Sequence, residues 1–477
     1  MPAGTRTPAR RGETDHQSVS GSIRSWSNEG TIAMHAHAFF PRSFLNVKLY
    51  IATVLGLAGA SARAQDLQTA YRQAVATSPV IIQARAQLDA EQASRPLARA
   101  ALLPHVAALA GGGMNTARVT GFGSTPISTG YHSDIFSASL TQSIFDGQAF
   151  AALKQTDSRI QASQAALAAA EQSLALDVTQ MYFGVLQAQA NERVAQQQVE
   201  LLQTIADQTR ASLQVGTGDI ITAQEAQAQL DAAKADLIVA HNSVAISKAR
   251  LERLTHLPAG TLEDVTVLQA VGPKPDELEP WLEAALKNQP LLRQARAVLE
   301  TSEAQVQFEK RAGWPTLTLN GISQHAAGTL IPPVAINQIG ASLSLSIPVF
   351  EGGTARAKTR QAAALSSASR AQVLTLEDQI RLDTQTAFLT LQNSVARFEA
   401  AQQSAASAKL SMEGTRKGYE IGTRSIIDLL TATTNHAVAQ RNYYLALYTN
   451  LVARIQLKAA AGVLTPLDID SINSMLH

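Results

Sequence analysis

The sequence predicts a mainly α-helical chain with a minor β component: long antiparallel coiled-coil helices joined to short membrane-entering strands, the whole plan occurring twice. Three observations carry this. Among 477 residues only 5% are aromatic, while Ala and Gln are abundant, a composition suited to long helices rather than to ordinary globular cores. Two stretches of the chain match each other in their turns as well as in their helices. Each stretch also contains a run in which every second residue is apolar.

Composition excludes several classes of protein before any element is placed. The formal net charge is +1 and the basic residues are scattered, so no nucleic-acid partner is expected, since phosphate binding needs clustered Lys and Arg. Cysteine is absent, which removes disulfides, thiolate metal sites, a cysteine nucleophile and an acceptor for an N-terminal lipid.

Taking the elements in order, Arg42 and Lys48 precede an apolar run from Leu49 to Ala60, and Ala62-Arg63-Ala64 follows with the small-residue spacing of a cleavage site. This predicts a secretory signal peptide cut after Ala64. Residues 1–33 are polar and patternless, so translation is expected to start at Met34. The apolar run is shorter than the roughly 20 residues that a spanning helix needs. No other long apolar run follows, so membrane entry requires strands that close into a barrel.

The duplication defines a first repeat over 65–270, a second over 271–464 and a C-terminal tail over 465–477. Pro79, Gln83, Ala84, Arg85, Ala86 and Leu88 match Pro290, Gln294, Ala295, Arg296, Ala297 and Leu299, and Pro104 matches Pro315 at the same spacing. Phe145-Asp146-Gly147 matches Phe350-Glu351-Gly352, and Thr179, Phe183 and Leu186 match Thr384, Phe388 and Leu391. Gly216 then matches Gly422 as the glycine of a turn. Each copy is expected to hold a helix, a strand pair (104–146 and 315–350) and a long helical hairpin (147–256 and 352–462). Within the first hairpin Leu167, Leu174, Met181, Ala188, Ala195 and Leu202 form a heptad seam, interrupted by Glu171 and Glu192. An unbroken helix from Gly147 to Leu213 would reach about 100 Å at 1.5 Å per residue, a length suited to bridging a cellular compartment.

In the second strand pair Ile339, Ala341, Leu343, Leu345 and Ile347 alternate with Gly340 and serines, and in the first Phe136, Ala138 and Leu140 alternate with Ser137, Ser139 and Thr141. No Asp, Glu, Lys or Arg lies between Trp314 and Phe350. A sheet packed on helices would also give such alternation, but a barrel strand with hydroxyl residues toward a lumen accounts better for the missing charge. Four strands cannot close alone, since barrels need about eight, so the barrel must be shared between chains. Gly111 to Gly130 and Pro332-Pro333 are expected as tip loops, with Tyr131, Phe145, Trp314 and Phe350 at strand ends as an aromatic girdle.

Enzymatic chemistry finds no support. The histidines show no metal-ligand spacing, Gly111-Gly112-Gly113 lacks the Lys-Ser/Thr of a phosphate loop, and no Gly-x-Ser-x-Gly elbow is present. No catalytic residue, metal or cofactor is therefore expected.

The segment from Tyr419 through Gly422-Thr423-Arg424, Asp428, Leu429 and Leu430 to Ala432-Thr433-Thr434 closely resembles the TolC family of outer-membrane efflux and secretion channels. The likeness extends over nearly the whole mature chain. It implies a homotrimer in the bacterial outer membrane, with a twelve-stranded barrel built from four strands per protomer and continuous with a helical tunnel through the periplasm. Its partners would be a periplasmic adaptor, an inner-membrane ABC or RND transporter and outer-membrane lipid. Its task would be passive conduction of type I secreted proteins or small efflux substrates. The lack of Cys points to the non-lipidated branch.

The resemblance also assigns roles at the periplasmic end. Tyr419 and Arg424 would hold the tunnel shut, and Asp428 would line the constriction in all three subunits. Facing carboxylates repel and tend toward raised pKa values. Alternatively Arg424 and Asp428 form a helical i,i+4 pair worth about 0.2–0.5 kcal/mol. Two acids of the family pattern are replaced, one by Thr222 and one by Thr431, with Asp219 as a stand-in for the first. The rival readings are a periplasmic adaptor with one coiled-coil hairpin and a soluble filament-like coiled coil; neither accounts for strand pairs at two equivalent positions.

Overall fold

The computed structural model describes residues 66–119, 127–265, 269–328 and 335–474, all within one unit spanning Ala62–His477. The leader expectations, including Ala62, Ala64 and Met34, lie outside the described residues, as does Pro332-Pro333.

The order of elements repeats. In the first half α1 (Leu67–Thr77) and α2 (Pro79–Ala100) lead to strands β1 (His105–Val119) and β2 (Ile127–Phe145), then to α3 (Gly147–Gln214) and α4 (Ile220–Thr255). In the second half α5 (Glu279–Asn288) and α6 (Pro290–Arg311) lead to β3 (Thr316–Ala327) and β4 (Ile336–Ser346), then to α7 (Thr354–Glu420) and α8 (Ile426–Ala460). A last helix, α9 (Pro466–Asn473), follows.

Three sequence expectations need correction. The single helix expected before each strand pair is two helices, broken where Pro79 and Pro290 start α2 and α6. Proline fits a first helical position, where its missing N–H has no intrahelical partner to lose. The stretch Gly111 to Gly130 is mostly strand rather than loop, because Gly111–Val119 continues β1 and Ile127 begins β2. Tyr131 therefore sits inside β2, paired with Asn115, and not at a strand end. The tail contains a packed helix, with Ile469 and Ile472 buried.

The four strands form one antiparallel sheet in the order β1-β2-β3-β4. The register aligns Val106, Leu140, Gly321 and Ala341 across it, and likewise Ala108, Ala138, Ser323 and Ile339. Successive side chains alternate between faces, so the apolar rows of both repeats share one face of one sheet. Beyond Phe136 this face turns polar: His132 meets Asp134 at 3.0 Å and His325 Nδ1 lies 2.6 Å from Asn337 Oδ1. At the other end the rings of Phe145 and Trp314 stack 6.3 Å apart with the Arg311 guanidinium over Trp314, while Phe350 is 87% exposed.

The core gathers where α1, α3, α8 and α9 meet. Phe183, Tyr182 and Tyr448 are buried there with Leu67, Leu186 and Leu451. Residues matched between the repeats are buried in both: Thr179 with Thr384, Phe183 with Phe388, Leu186 with Leu391. All six seam residues of α3 are buried or half-buried, and the two acids that interrupt the seam have partners, Glu171 with Arg85 and Glu192 with His241. The loop after α4 is fastened to this core by polar contacts. Tyr182 donates to the Glu263 carbonyl at 2.9 Å, Tyr448 donates to Asp264 at 2.8 Å, and Arg193 pairs with Asp264 at 2.9 Å.

Candidate functional site

The residues singled out at the two helical turns lie at one end of the hairpins. A cluster of Leu202 and Ile205 from α3, Ala226 and Leu230 from α4, and Ile426, Leu429 and Leu430 from α8 unites that end, with Tyr419 of α7 packed half-buried against it.

Both turns are the same object. Gly216 has φ 76° and Gly422 has φ 77°, a left-handed conformation that costs glycine nothing and strains other residues. In the first turn Thr217 N–H donates to the Ser212 carbonyl at 2.9 Å and Gly216 N–H to the Leu213 carbonyl at 3.1 Å. In the second, Thr423 N–H donates to Gly418 at 2.8 Å and Gly422 N–H to Tyr419 at 3.0 Å. This pair of bonds satisfies carbonyls that the helix end would otherwise leave open.

The helix starts that follow differ in one respect. Asp219 caps α4, its carboxylate accepting from Thr222 N–H at 2.9 Å and from the Thr222 hydroxyl at 2.6 Å. At the equivalent positions of α8 the two groups are exchanged: Ser425 caps, accepting from Asp428 N–H at 3.2 Å, while Asp428 accepts from Ser425 N–H at 3.0 Å and from its hydroxyl at 2.9 Å. Each turn thus carries one carboxylate and one hydroxyl in opposite order. Both carboxyls are held below the usual carboxylate range, Asp219 by the Thr222 hydroxyl and N–H, Asp428 by the Ser425 N–H and hydroxyl with a smaller contribution from Arg424.

For Asp428 this direction within the chain is opposite to the raised value expected from facing carboxylates. The alternative of an Arg424–Asp428 helical pair does not arise, because Arg424 precedes α8 and Asp428 is engaged with Ser425. Among the described residues no hydrogen bond or ion pair joins Arg424 or Tyr419 to Asp219 or Thr222. Thr431 lines a groove between α4 and α8 that also holds Glu225, one helical turn beyond Thr222. Glu225 was not singled out by sequence reasoning, although an acid at i+3 from a replaced acid is a readable signal. The cap exchange was readable too, since Ser-x-x-Asp before an apolar run is a capping-box pattern. Among the described residues no group of acids and histidines could hold a metal ion.

A sequence-family description, outer membrane efflux protein, matches residues 70–255 and 281–463. The chain is similar to outer membrane protein TolC of Vibrio cholerae, with 26% identity covering 90% of this chain and 98% of that protein. It is similar also to outer membrane protein TolC of Escherichia coli, with 28% identity covering 88% of this chain and 87% of that one. Among solved structures, the Campylobacter jejuni CmeC outer membrane channel shares the fold with a TM-score of 0.75 at 18% identity, covering 86% of this chain and 90% of that one.

Proposed function

The chain belongs to the outer membrane efflux protein family, as an outer-membrane efflux and secretion channel of TolC type, and from that premise we propose a gated homotrimeric duct. Three chains would contribute four strands each to one barrel, because four strands fall short of the roughly eight that closure needs. Exposed Leu365, Leu374, Leu382 and Leu389 along α7 support neighbouring helices from other subunits. A periplasmic adaptor and an inner-membrane ABC or RND transporter complete the reading, supported by Val215 and Ile421, one exposed apolar residue at each turn. Type I secreted proteins and small efflux substrates are the cargo classes, and the transporter selects among them. Membership of the non-lipidated branch is part of the proposal, supported by the lack of cysteine among 477 residues.

The gate is assigned to the turn end of the second hairpin. Tyr419 packs on the cluster that unites α3, α4 and α8, and Arg424 leads directly into α8, so both sit where a relative shift of the hairpins would be felt. With their polar ends unlinked to Asp219 and Thr222 within the chain, the closing links run to other subunits. Asp428 faces the constriction and favours cations. The observation that carries the assignment is the paired turns brought to one end, with the same backbone and different side chains. An Arg424→Ser, Tyr419→Phe variant in planar bilayers is expected to conduct more than the parent channel; equal single-channel conductance would overturn the gate.

A further inference from the structure

Gly418 lies inside the last turn of α7 with a right-handed helical backbone, so no left-handed turn explains why it is glycine. Alanine forms helix better than glycine at such a position. The reason lies across the turn. A Cβ added at Gly418 would fall 2.7 Å from Arg424 Cγ and 3.3 Å from Thr423 Oγ1, whereas one added at Gly414, a turn earlier, meets nothing within 4 Å.

The first turn provides an internal comparison. The positions equivalent to Gly418 and Arg424 are Ser212 and Gly218, and there a Cβ added at Gly218 would fall 3.1 Å from Ser212 Cβ. The backbone brings each pair together in the same way. Thr217 and Gly218 both donate to the Ser212 carbonyl, at 2.9 and 3.0 Å, and Thr423 and Arg424 both donate to the Gly418 carbonyl, at 2.8 and 3.1 Å. One member of each pair is bare, and it is the opposite member in the two repeats.

We infer that Gly418 is a positioning residue for Arg424. The bare position lets the arginine stem start flat against the end of α7, which fixes the direction in which the guanidinium leaves the turn. A methyl group at 418 would meet Cγ, the second carbon of the stem, rather than the mobile end. Relief then requires another χ1 well, and a change of well at the root of so long a side chain carries its charged end to a different place. This inference rests on the reading of Arg424 as a closing group and goes beyond it, by identifying what aims that group.

The test uses the full-length channel in planar bilayers, comparing the parent with Gly418→Ala, Arg424→Ala and the double variant. Gly418→Ala is expected to raise single-channel conductance to the level of Arg424→Ala, with no further rise in the double variant, because both act through one side chain. If Arg424→Ala opens the channel while Gly418→Ala conducts like the parent, the positioning role is overturned and the gate stands. If Arg424→Ala conducts like the parent, the gate itself falls. Additive increases in the double variant would show that Gly418 acts independently of Arg424 and would also overturn the inference. Should Gly418→Ala fail to assemble, the double variant decides, since alanine at 424 has no Cγ to collide with. Recovery of trimer supports the contact, and continued failure rejects it.

Discussion

At the scale of single residues, the exchange of carboxylate and hydroxyl between the two turns changes what pH can do. Asp428 is depressed by bonds from Ser425, so its charge and the capping interaction it makes are fully present above the ordinary carboxylate pKa of about 3.9. Both are lost only as pH falls through the lower folded value. Replacing Ser425 by alanine removes the hydroxyl donor and leaves the N–H. Cation selectivity of a Ser425→Ala channel should therefore fade at a higher pH than that of the parent, read from reversal potentials in asymmetric salt across a pH series. Coincident midpoints would show that the hydroxyl does not set the charge of Asp428. The turn glycines were legible because a positive φ leaves a mark on residue type. Gly418 was not, because the side chain that excludes its Cβ comes from six residues later in sequence, across a bend.

At the scale of elements, period-two alternation marked out the strands, and the register places both repeats' apolar rows on one face. Strand length was less legible. Gly111, Gly112 and Gly113 read as loop by residue type, yet they lie in β1 opposite Ile135, Asp134 and Ser133, where ladder bonds to β2 override local preference. The helix break at Pro79 and Pro290 was hidden for a related reason, since proline suits either a helix start or a loop. The faces yield a prediction. Arginine at Leu343, in the apolar row, should cost about 2–4 kcal/mol near the bilayer midplane, whereas arginine at Ser342, on the opposite face, should be tolerated. Heat-modifiable trimer in outer-membrane fractions should fall for Leu343→Arg and persist for Ser342→Arg. Equal yields would mean the two faces are wrongly assigned.

At the scale of the whole molecule, the first and last described helices hold each other. Asp66 caps α1 through Thr69 N–H at 2.8 Å and accepts from Asn473 of α9 at 3.0 Å, while Gln68 N–H donates to Asn473 at 3.3 Å. Gln68 also bonds Asp470, and Lys458 of α8 bonds Asp468. Beneath them Ile469 and Ile472 share a core with Leu67 and Tyr448. Sequence pattern gave no sign of this closure, because eight residues with two buried isoleucines are too few to show a period. Truncating Ile472 to alanine should cost about 2–5 kcal/mol, as expected for a buried isoleucine. The melting temperature of the detergent-solubilised channel should drop, with single-channel conductance at room temperature unchanged. An unaltered melt would show that α9 is not part of the cooperative core.

The sheet has one further consequence. Among the described residues β1 and β4 each have a hydrogen-bonded neighbour on one side only. In the proposed shared barrel other chains supply the missing neighbours, and until they do every newly made protomer carries two sticky borders able to recruit whatever strand arrives first. Biogenesis then becomes a race in which correct association must outrun misassociation, and its outcome depends on how many protomers are present together and on what shields them meanwhile.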